Sequence, residues 1–346
     1  ANLITGRTRP GKTAFLYSGQ GTQHPGMGHN LYTTFPTFAN ALDQAFQALN
    51  PHLEHPLQHI MWAKPHTPHA QLLNQTLYTQ PALFALQTAL HHLLTSWNIH
   101  PHYLAGHSLG EITAAHTAGI LTLNDAATLI TTRARLMHNL PTNGTMTAIH
   151  ATPQEITPHL TPNVTIAAIN TPNTTVISGT THDVNTITHH FTQQGRKTHT
   201  LTVSHAFHSP HLNPILNTLN HTAHTLTHHT AHTPLITNTT ATPTTTLHPT
   251  HWATHARQPV HFANTINYLH NAGVTTYIEI GPDNPLTTLT THNLPTPTTN
   301  TPPPTTINTL HKNQPETPTL LHALATIHTH TTTPITWNTL LTPTPT

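Results

Sequence analysis

The sequence predicts an α/β protein, with a larger body built on a parallel sheet and a small βαββαβ unit inserted into it. Three observations carry that expectation. Short apolar runs at residues 14–17, 103–105 and 275–280 each lead into a glycine-containing turn, as strand ends do. Apolar residues at helical spacing fill residues 82–97 (Leu83, Leu86, Leu90, Leu94), 112–121 and 126–137. Between residues 145 and 203 the pattern alternates strand, helix, strand, strand, helix, strand.

Taken in order, residues 1–13 are polar, carry Arg7, Arg9 and Lys12, and read as the end of an incoming linker. Strand 14–17 runs into the turn Ser18-Gly19-Gln20-Gly21. The helix at 82–97 is apolar enough to be buried, and strand 103–105 stops at Gly106. Asn124-Asp125 separates the next two helices and suits an N-cap. Threonine is a poor helix former, so these helices should depend on packing more than on propensity. In the inserted unit, residues 145–150 alternate as a strand, and helix 152–160 has Pro153 in its first turn. Strands 164–169 and 175–178 flank the turn Asn170-Thr171-Pro172-Asn173. Helix 183–194 stops at Gly195, and residues 197–203 alternate again, which gives a ferredoxin-like order. From residue 294 the chain is Pro/Thr-rich, reading as extended linker with one amphipathic helix near 320–327. The expected boundaries are 14–144 plus 204–293 for the large body, 145–203 for the small unit and 294–346 for the outgoing linker.

Composition narrows the function classes. Only 5% of the 346 residues are charged, against roughly 25% in an ordinary soluble chain. That excludes a Glu/Lys-rich coiled coil. Lys+Arg 10 against Asp+Glu 9, with no basic stripe, argues against a nucleic-acid partner. No apolar run is long enough for a membrane span. The 38 histidines are scattered without the ordered spacing of a chelating motif, so no metal site is expected. Protonating all of them would add 38 charges to a formal +1, so acid lability near pH 5 is expected. Cysteine is absent, which removes disulfides and a thiol nucleophile. The first residues hold no hydrophobic signal core and the chain does not begin with Met; a cytoplasmic domain cut from a longer polypeptide is expected.

The strongest chemical signal is Gly106-His107-Ser108-Leu109-Gly110. A G-x-S-x-G between a strand and a helix makes a nucleophile elbow, which would give the large body an α/β-hydrolase-like character. Ser108 would project from the turn, and the Leu109 N–H at the helix start would face a developing oxyanion. A serine nucleophile needs a base; His208, in Ser204-His205-Ala206-Phe207-His208-Ser209, is best placed where the inserted unit rejoins the body. Composition alone does not single it out from so many histidines. Arg133 stands out because arginine is scarce, and on a helix beside the elbow its fork could grip a carboxylate. Arg135 reads as a surface residue. Gly26 and Gly28 come too late for G-x-G-x-x-G, so a dinucleotide fold is not expected; the turn would instead offer the Gln20 N–H as a second oxyanion donor.

Together these residues resemble the acyltransferase domain of modular type I polyketide synthases and the related malonyl-CoA:acyl-carrier-protein transacylases. The resemblance rests on GQGTQ at 19–23, TQPAL at 79–83, GHSLGE at 106–111, RARLM at 133–137, HAFHS at 205–209, RQPVHF at 257–262 and EIGP at 279–282, and it covers most of residues 14–290. The His/Thr-rich composition is similar to that of the mycolactone polyketide synthases. The resemblance implies Ser108 as the acylated nucleophile and His208 as general base and acid, oriented by the backbone carbonyl of His255. It implies oxyanion N–H groups from Gln20 and Leu109, a malonyl carboxylate held by Arg133, and a pocket lined by Gln80, Asn170, His205 and Phe207. In this family HAFH accompanies malonyl selectivity and YASH methylmalonyl selectivity; Phe207 would fill the space a 2-methyl group needs, and Leu109 also fits the malonyl pattern. The implied partners are malonyl-CoA, an acyl carrier protein bearing phosphopantetheine, and the ketosynthase and other domains of one synthase, with no cofactor bound to this chain.

Three other readings stay open on sequence alone. One is the same transfer with methylmalonyl-CoA. Another is an α/β-hydrolase-like esterase, for which Asp125, Glu155 and Asp183 lie between Ser108 and His208. The last is a catalytically silent docking domain.

Overall fold

Two sheets divide the work of the chain, and in the computed structural model they are seen through residues 3–296 and 303–338. Most of the Pro/Thr tract between residues 295 and 303, and the end of the terminal tail, lie outside the described residues.

The larger sheet contains β1 (Lys12–Tyr17), β2 (Tyr103–Gly106), β7 (Leu235–Ile236), β8 (Pro243–Thr244), β9 (Val274–Ile280) and β10 (Thr305–Asn308) in the order β10-β9-β1-β2-β7-β8. All neighbours are parallel except β7 and β8. Both faces of a parallel sheet are covered, so its strands read as short apolar runs rather than as alternation. Ala14, Phe15, Leu16 and Tyr17 are indeed all buried. Strand order reverses at β1, which puts a crevice at its carboxyl end.

The smaller sheet holds β3 (Gly144–Ile149), β4 (Val164–Thr171), β5 (Thr174–Thr180) and β6 (Thr198–Thr200), fully antiparallel, in the order β4-β5-β3-β6. With the helices Pro153–Ile156 and Thr181–Gln193 between strands, this is the βαββαβ arrangement expected. Period-two alternation splits its residues between two cores. Ile149, Val164 and Ile177 pack with Val184, Ile187 and Phe191 of the covering helix. Met146, Ala168 and Val176 point the other way and join the core of the larger body. That second face roofs the site.

Several elements differ from the sequence expectation. The helix beginning at 82 actually spans Thr76–Ser96, running through Pro81 because packing on nearly every side outweighs the lost backbone bond. The helix around Arg133 spans Leu123–His138 and is capped by Thr122, whose hydroxyl accepts the Asp125 N–H at 3.1 Å; Asn124-Asp125 lies within its first turn. The helix 152–160 is one α turn followed by a 3₁₀ turn, Thr157–His159. In residues 303–338 the expected amphipathic helix is present and longer, but the residues before it are not all extended linker. The segment adds β10 to the sheet edge and the helix Glu316–His330, which buries Leu320, Ala323, Leu324 and Ile327. Glu316 accepts the Asn30 N–H at 3.0 Å and the Gly28 N–H, tying this segment to the body. No helix among the described residues is long and apolar enough to cross a membrane.

Candidate active site

The carboxyl ends of β1 and β2 lie side by side, Tyr17 paired with Gly106, so the turns that follow them face each other. After β2 the chain bends into the helix Gly110–Thr117. Two glycines make that bend possible by close approach. A Cβ on Gly106 would stand 2.1 Å from the Glu111 nitrogen, and one on Gly110 2.2 Å from the Tyr17 carbonyl oxygen. At the apex Ser108 has φ 52°, in the left-handed region. A serine rarely adopts it, and such strain clusters where a side chain must be presented at a set angle. Ser108 is half-buried and lines a cavity.

His208 stands opposite, also with a left-handed backbone (φ 55°). The Ser108 hydroxyl donates to His208 Nε2 at 2.8 Å. On the far side of the ring, Nδ1–H donates to the Gln258 carbonyl at 2.8 Å. A carbonyl can only accept, so this bond fixes the tautomer and leaves Nε2 free to take a proton. The orienting carbonyl is thus that of Gln258, not His255. The helix His251–Arg257 ends just before Gln258, whose extended backbone (φ −82°, ψ 159°) turns its carbonyl toward the imidazole. The His255 carbonyl sits inside the last helical turn and acts on His208 more weakly. Burial, reinforced by the Arg133 charge, lowers the His208 pKa to about 3, so the ring is a neutral base.

Arg133 is 3% exposed and reaches the same hydroxyl: Nη2–H donates to Ser108 Oγ at 3.2 Å. Nη1–H donates to Gln80 Oε1 at 2.6 Å, which locks the guanidinium plane. Burial lowers its pKa to about 10 and the Glu111 carboxylate opposes that shift, so the cation persists at neutral pH. The buried Arg133 Nε has no hydrogen-bond partner among the described residues. A buried, pre-oriented fork beside a serine hydroxyl is suited to pairing with a carboxylate.

Beside Ser108 lies a cavity of about 100 Å³ lined by Gln20, Asn170, Met146, Val176, Phe207 and His208 among others. Much larger open grooves exist, one of them bounded by Trp62, Lys64 and Lys312, but they hold neither Ser108 nor His208. Chemistry therefore ranks the small cavity first. Asn170 joins the two sheets here: its Oδ1 is 2.9 Å from His107 Nε2. Val260 and β4 exchange backbone bonds of 2.9 Å in both directions, which seats the roof next to Gln258.

The structure thus gathers Ser108, His208, Gln20, Asn170 and Phe207 around one space, and Arg133 meets them through the Ser108 hydroxyl. Gln80 belongs there indirectly, through Arg133. His205 does not line the cavity; its buried ring is turned onto the Leu140 carbonyl at 3.0 Å. The acids of the hydrolase reading are held elsewhere: Asp125 by Thr122, Glu155 by Thr152 and Arg196, and Asp183 by Thr161 and Asn163. Asn238 is absent from the sequence reading, and Gln258 and Glu111 stand in quoted motifs without an assigned role. Gln258 is an ordinary residue after a short helix, and Asn238 follows a two-residue strand. Glu111 was visible, as the last residue of GHSLGE and one of only nine acids, but only the fold shows its carboxylate lying beneath the elbow.

With that geometry in place, comparison with known proteins is informative. Residues 14–334 match the family model described as the acyl transferase domain. Spectinabilin polyketide synthase system protein NorB of Streptomyces orinoci is 43% identical over 293 residues, covering 83% of this chain and 14% of that protein. Phenolphthiocerol synthesis polyketide synthase type I Pks15/1 of Mycobacterium marinum is 41% identical, with the same two coverages of 83% and 14%. The chain therefore spans about one seventh of the length of these relatives. Among solved structures, the acyltransferase domain from the second module of the salinomycin polyketide synthase superposes with a TM-score of 0.89 at 37% identity, over 97% of this chain and 77% of that one. A malonyl-CoA:acyl carrier protein transacylase of Xanthomonas oryzae gives 0.76 at 26% identity, over 88% and 96%.

Proposed function

The chain belongs to the acyl transferase domain family, and on that premise we propose that it carries a malonyl group from malonyl-CoA to an acyl carrier protein by way of an ester on Ser108. The observation that supports this most is the placing of one hydroxyl between a neutral imidazole at 2.8 Å and a buried guanidinium at 3.2 Å.

In the first half-reaction Ser108 Oγ attacks the thioester carbonyl while its proton passes to His208 Nε2. The backbone N–H groups of Gln20 and Leu109 stabilise the oxyanion. Collapse breaks the C–S bond; coenzyme A leaves and takes the proton from His208. In the second half-reaction the phosphopantetheine thiol of the carrier gives its proton to His208 and attacks the ester. The C–O bond breaks and Ser108 regains its proton. Arg133 pairs with the free carboxylate throughout, a contact that an acetyl group cannot make. No bound cofactor is needed, because phosphopantetheine arrives on the carrier. The carrier, a ketosynthase and further domains of a synthase complete the proposed partners. Orientation of the base by the Gln258 carbonyl, with Asp125, Glu155 and Asp183 all held elsewhere, favours acyl transfer over the hydrolase reading.

Malonyl is the proposed extender because the Phe207 ring lines the cavity of about 100 Å³ beside Ser108, where it would take up the space of a 2-methyl group. Rejecting one methyl group in this way is worth about 1–3 kcal/mol, or roughly 10–200-fold. Loading from an equal mixture of malonyl- and methylmalonyl-CoA, read by intact mass, should give that excess of the malonyl ester. Equal loading, or an excess of the methylmalonyl ester, removes malonyl selectivity from the proposal.

A further inference from the structure

One buried cluster beneath the elbow takes no part in the transfer steps. Asn238, 2% exposed, follows β7 and uses every polar arm it has. Its Oδ1 accepts the Ser108 N–H at 2.8 Å. Its side-chain nitrogen donates to the Gly106 carbonyl at 2.7 Å and to Glu111 Oε2. Its backbone N–H donates to the same Glu111 oxygen. The other oxygen, Glu111 Oε1, accepts from His251 Nε2 at 2.6 Å. Glu111 itself is 0% exposed.

This arrangement does two things. First, Asn238 grips the elbow on both sides of its apex, at the Gly106 carbonyl and the Ser108 N–H. A left-handed serine persists only where its surroundings over-determine it, and this clamp supplies that constraint. The amide can face only one way: Oδ1 must meet the Ser108 donor, and the nitrogen must meet two acceptors. Second, the Ser108 N–H is occupied by Asn238, which leaves the next N–H along the elbow, that of Leu109, as the oxyanion donor of the proposed mechanism. Glu111 locks the clamp from below, and its charge also supports the Arg133 cation.

We propose that Asn238 and Glu111 are positioning residues for acyl transfer: they hold the Ser108 backbone so that Oγ reaches His208 and Arg133 together. The proposal rests on Ser108 being the acylated residue. A nucleophile displaced by even about 1 Å loses on the order of 100-fold in rate.

The test is single-turnover acylation of the whole chain by malonyl-CoA, separating the rate constant from the amplitude. For Asn238→Ala, the rate constant at saturation falls on the order of 100-fold, while the half-saturating malonyl-CoA concentration stays within about twofold of wild type because Arg133 and Phe207 are untouched. A residue needed only for folding would lower the amplitude and leave the rate constant alone. That result overturns the proposal, as does a raised half-saturating concentration at an unchanged rate constant. Glu111→Gln keeps the volume and carries the test if Asn238→Ala does not fold; a loss of about 10-fold in rate constant is expected, and the wild-type value overturns the role of Glu111. The wild-type protein in the same experiment separates the two claims. If it gains no acyl group on Ser108, the nucleophile assignment fails; if it does and both variants match its rate constant, only the positioning role fails.

Discussion

Replacing His208 by alanine is expected to lower the rate of acyl-enzyme formation by about 10²–10⁴-fold, the usual worth of a positioned general base. The hydroxyl would keep its place in the elbow but lose the acceptor at 2.8 Å. The same imidazole governs the pH profile. Burial and the Arg133 charge hold its pKa at about 3, far below the ordinary 6.5. Only the neutral ring can take the serine proton, and a lowered pKa keeps it neutral to lower pH. The acylation rate of the folded wild-type chain should therefore be flat from pH 8 down to the onset of acid unfolding near pH 5, with no step near 6.5. Stopped-flow release of coenzyme A across that range checks both statements. A sigmoid centred near 6.5 would show a solvated imidazole, and a His208→Ala variant at full rate would remove the residue from the mechanism.

The second large effect concerns selection of the acyl group. In Arg133→Ala, malonyl-CoA is expected to lose about 10²–10³-fold in kcat/KM, the scale of truncating one partner of a buried charge pair. Acetyl-CoA, without the free carboxylate, should lose far less, so the preference shifts toward uncharged acyl groups. Arg133→Lys should recover only part of the loss. A lysine cannot contact Ser108 Oγ and Gln80 Oε1 from one rigid plane as the fork does, at 3.2 and 2.6 Å. Kinetics of both thioesters with the three proteins decide the matter. An equal loss for malonyl- and acetyl-CoA would mean that the variant damages the elbow generally, and would remove the carboxylate-binding role.

How much of this was legible in the sequence depends on how local the cause is. The elbow was legible because its requirements are local: two glycines with no room for a Cβ, one serine, a strand before and a helix after. The small sheet was legible because period-two alternation survives the threonine-rich composition, as Ile149, Ile177 and Val176 show. The helix Pro36–Leu49 carried an equally good signal that went unread, with Phe38, Leu42, Ala45, Phe46 and Leu49 along one buried face. Leu216–His224 offered little: it buries only Leu219 and Ala223 amid Asn, Thr and His. β10 was masked by its Pro/Thr-rich setting, since nothing local announces that Ile307 pairs beside Ile278.

The site divides in the same way. Ser108, His208 and Arg133 were named from motifs, and the fold brings them together. The carbonyl that orients the base was placed three residues too early, because the exact end of the helix His251–Arg257 decides which carbonyl turns outward. His205 was expected at the cavity on the strength of its neighbours, yet its ring found the Leu140 carbonyl instead. Asn238 reaches Ser108 across 130 positions of sequence, a contact that no spacing rule reveals.

The central claim is that one serine hydroxyl becomes an ester. Intact-mass analysis of the wild-type chain and of Ser108→Ala, each mixed with malonyl-CoA and no acceptor thiol, tests it most directly. One malonyl group on the wild-type chain, mapped by peptide mass to residues 106–110, and none on the variant, is the predicted result. An unmodified wild-type chain, or equal labelling of the two proteins, would contradict it.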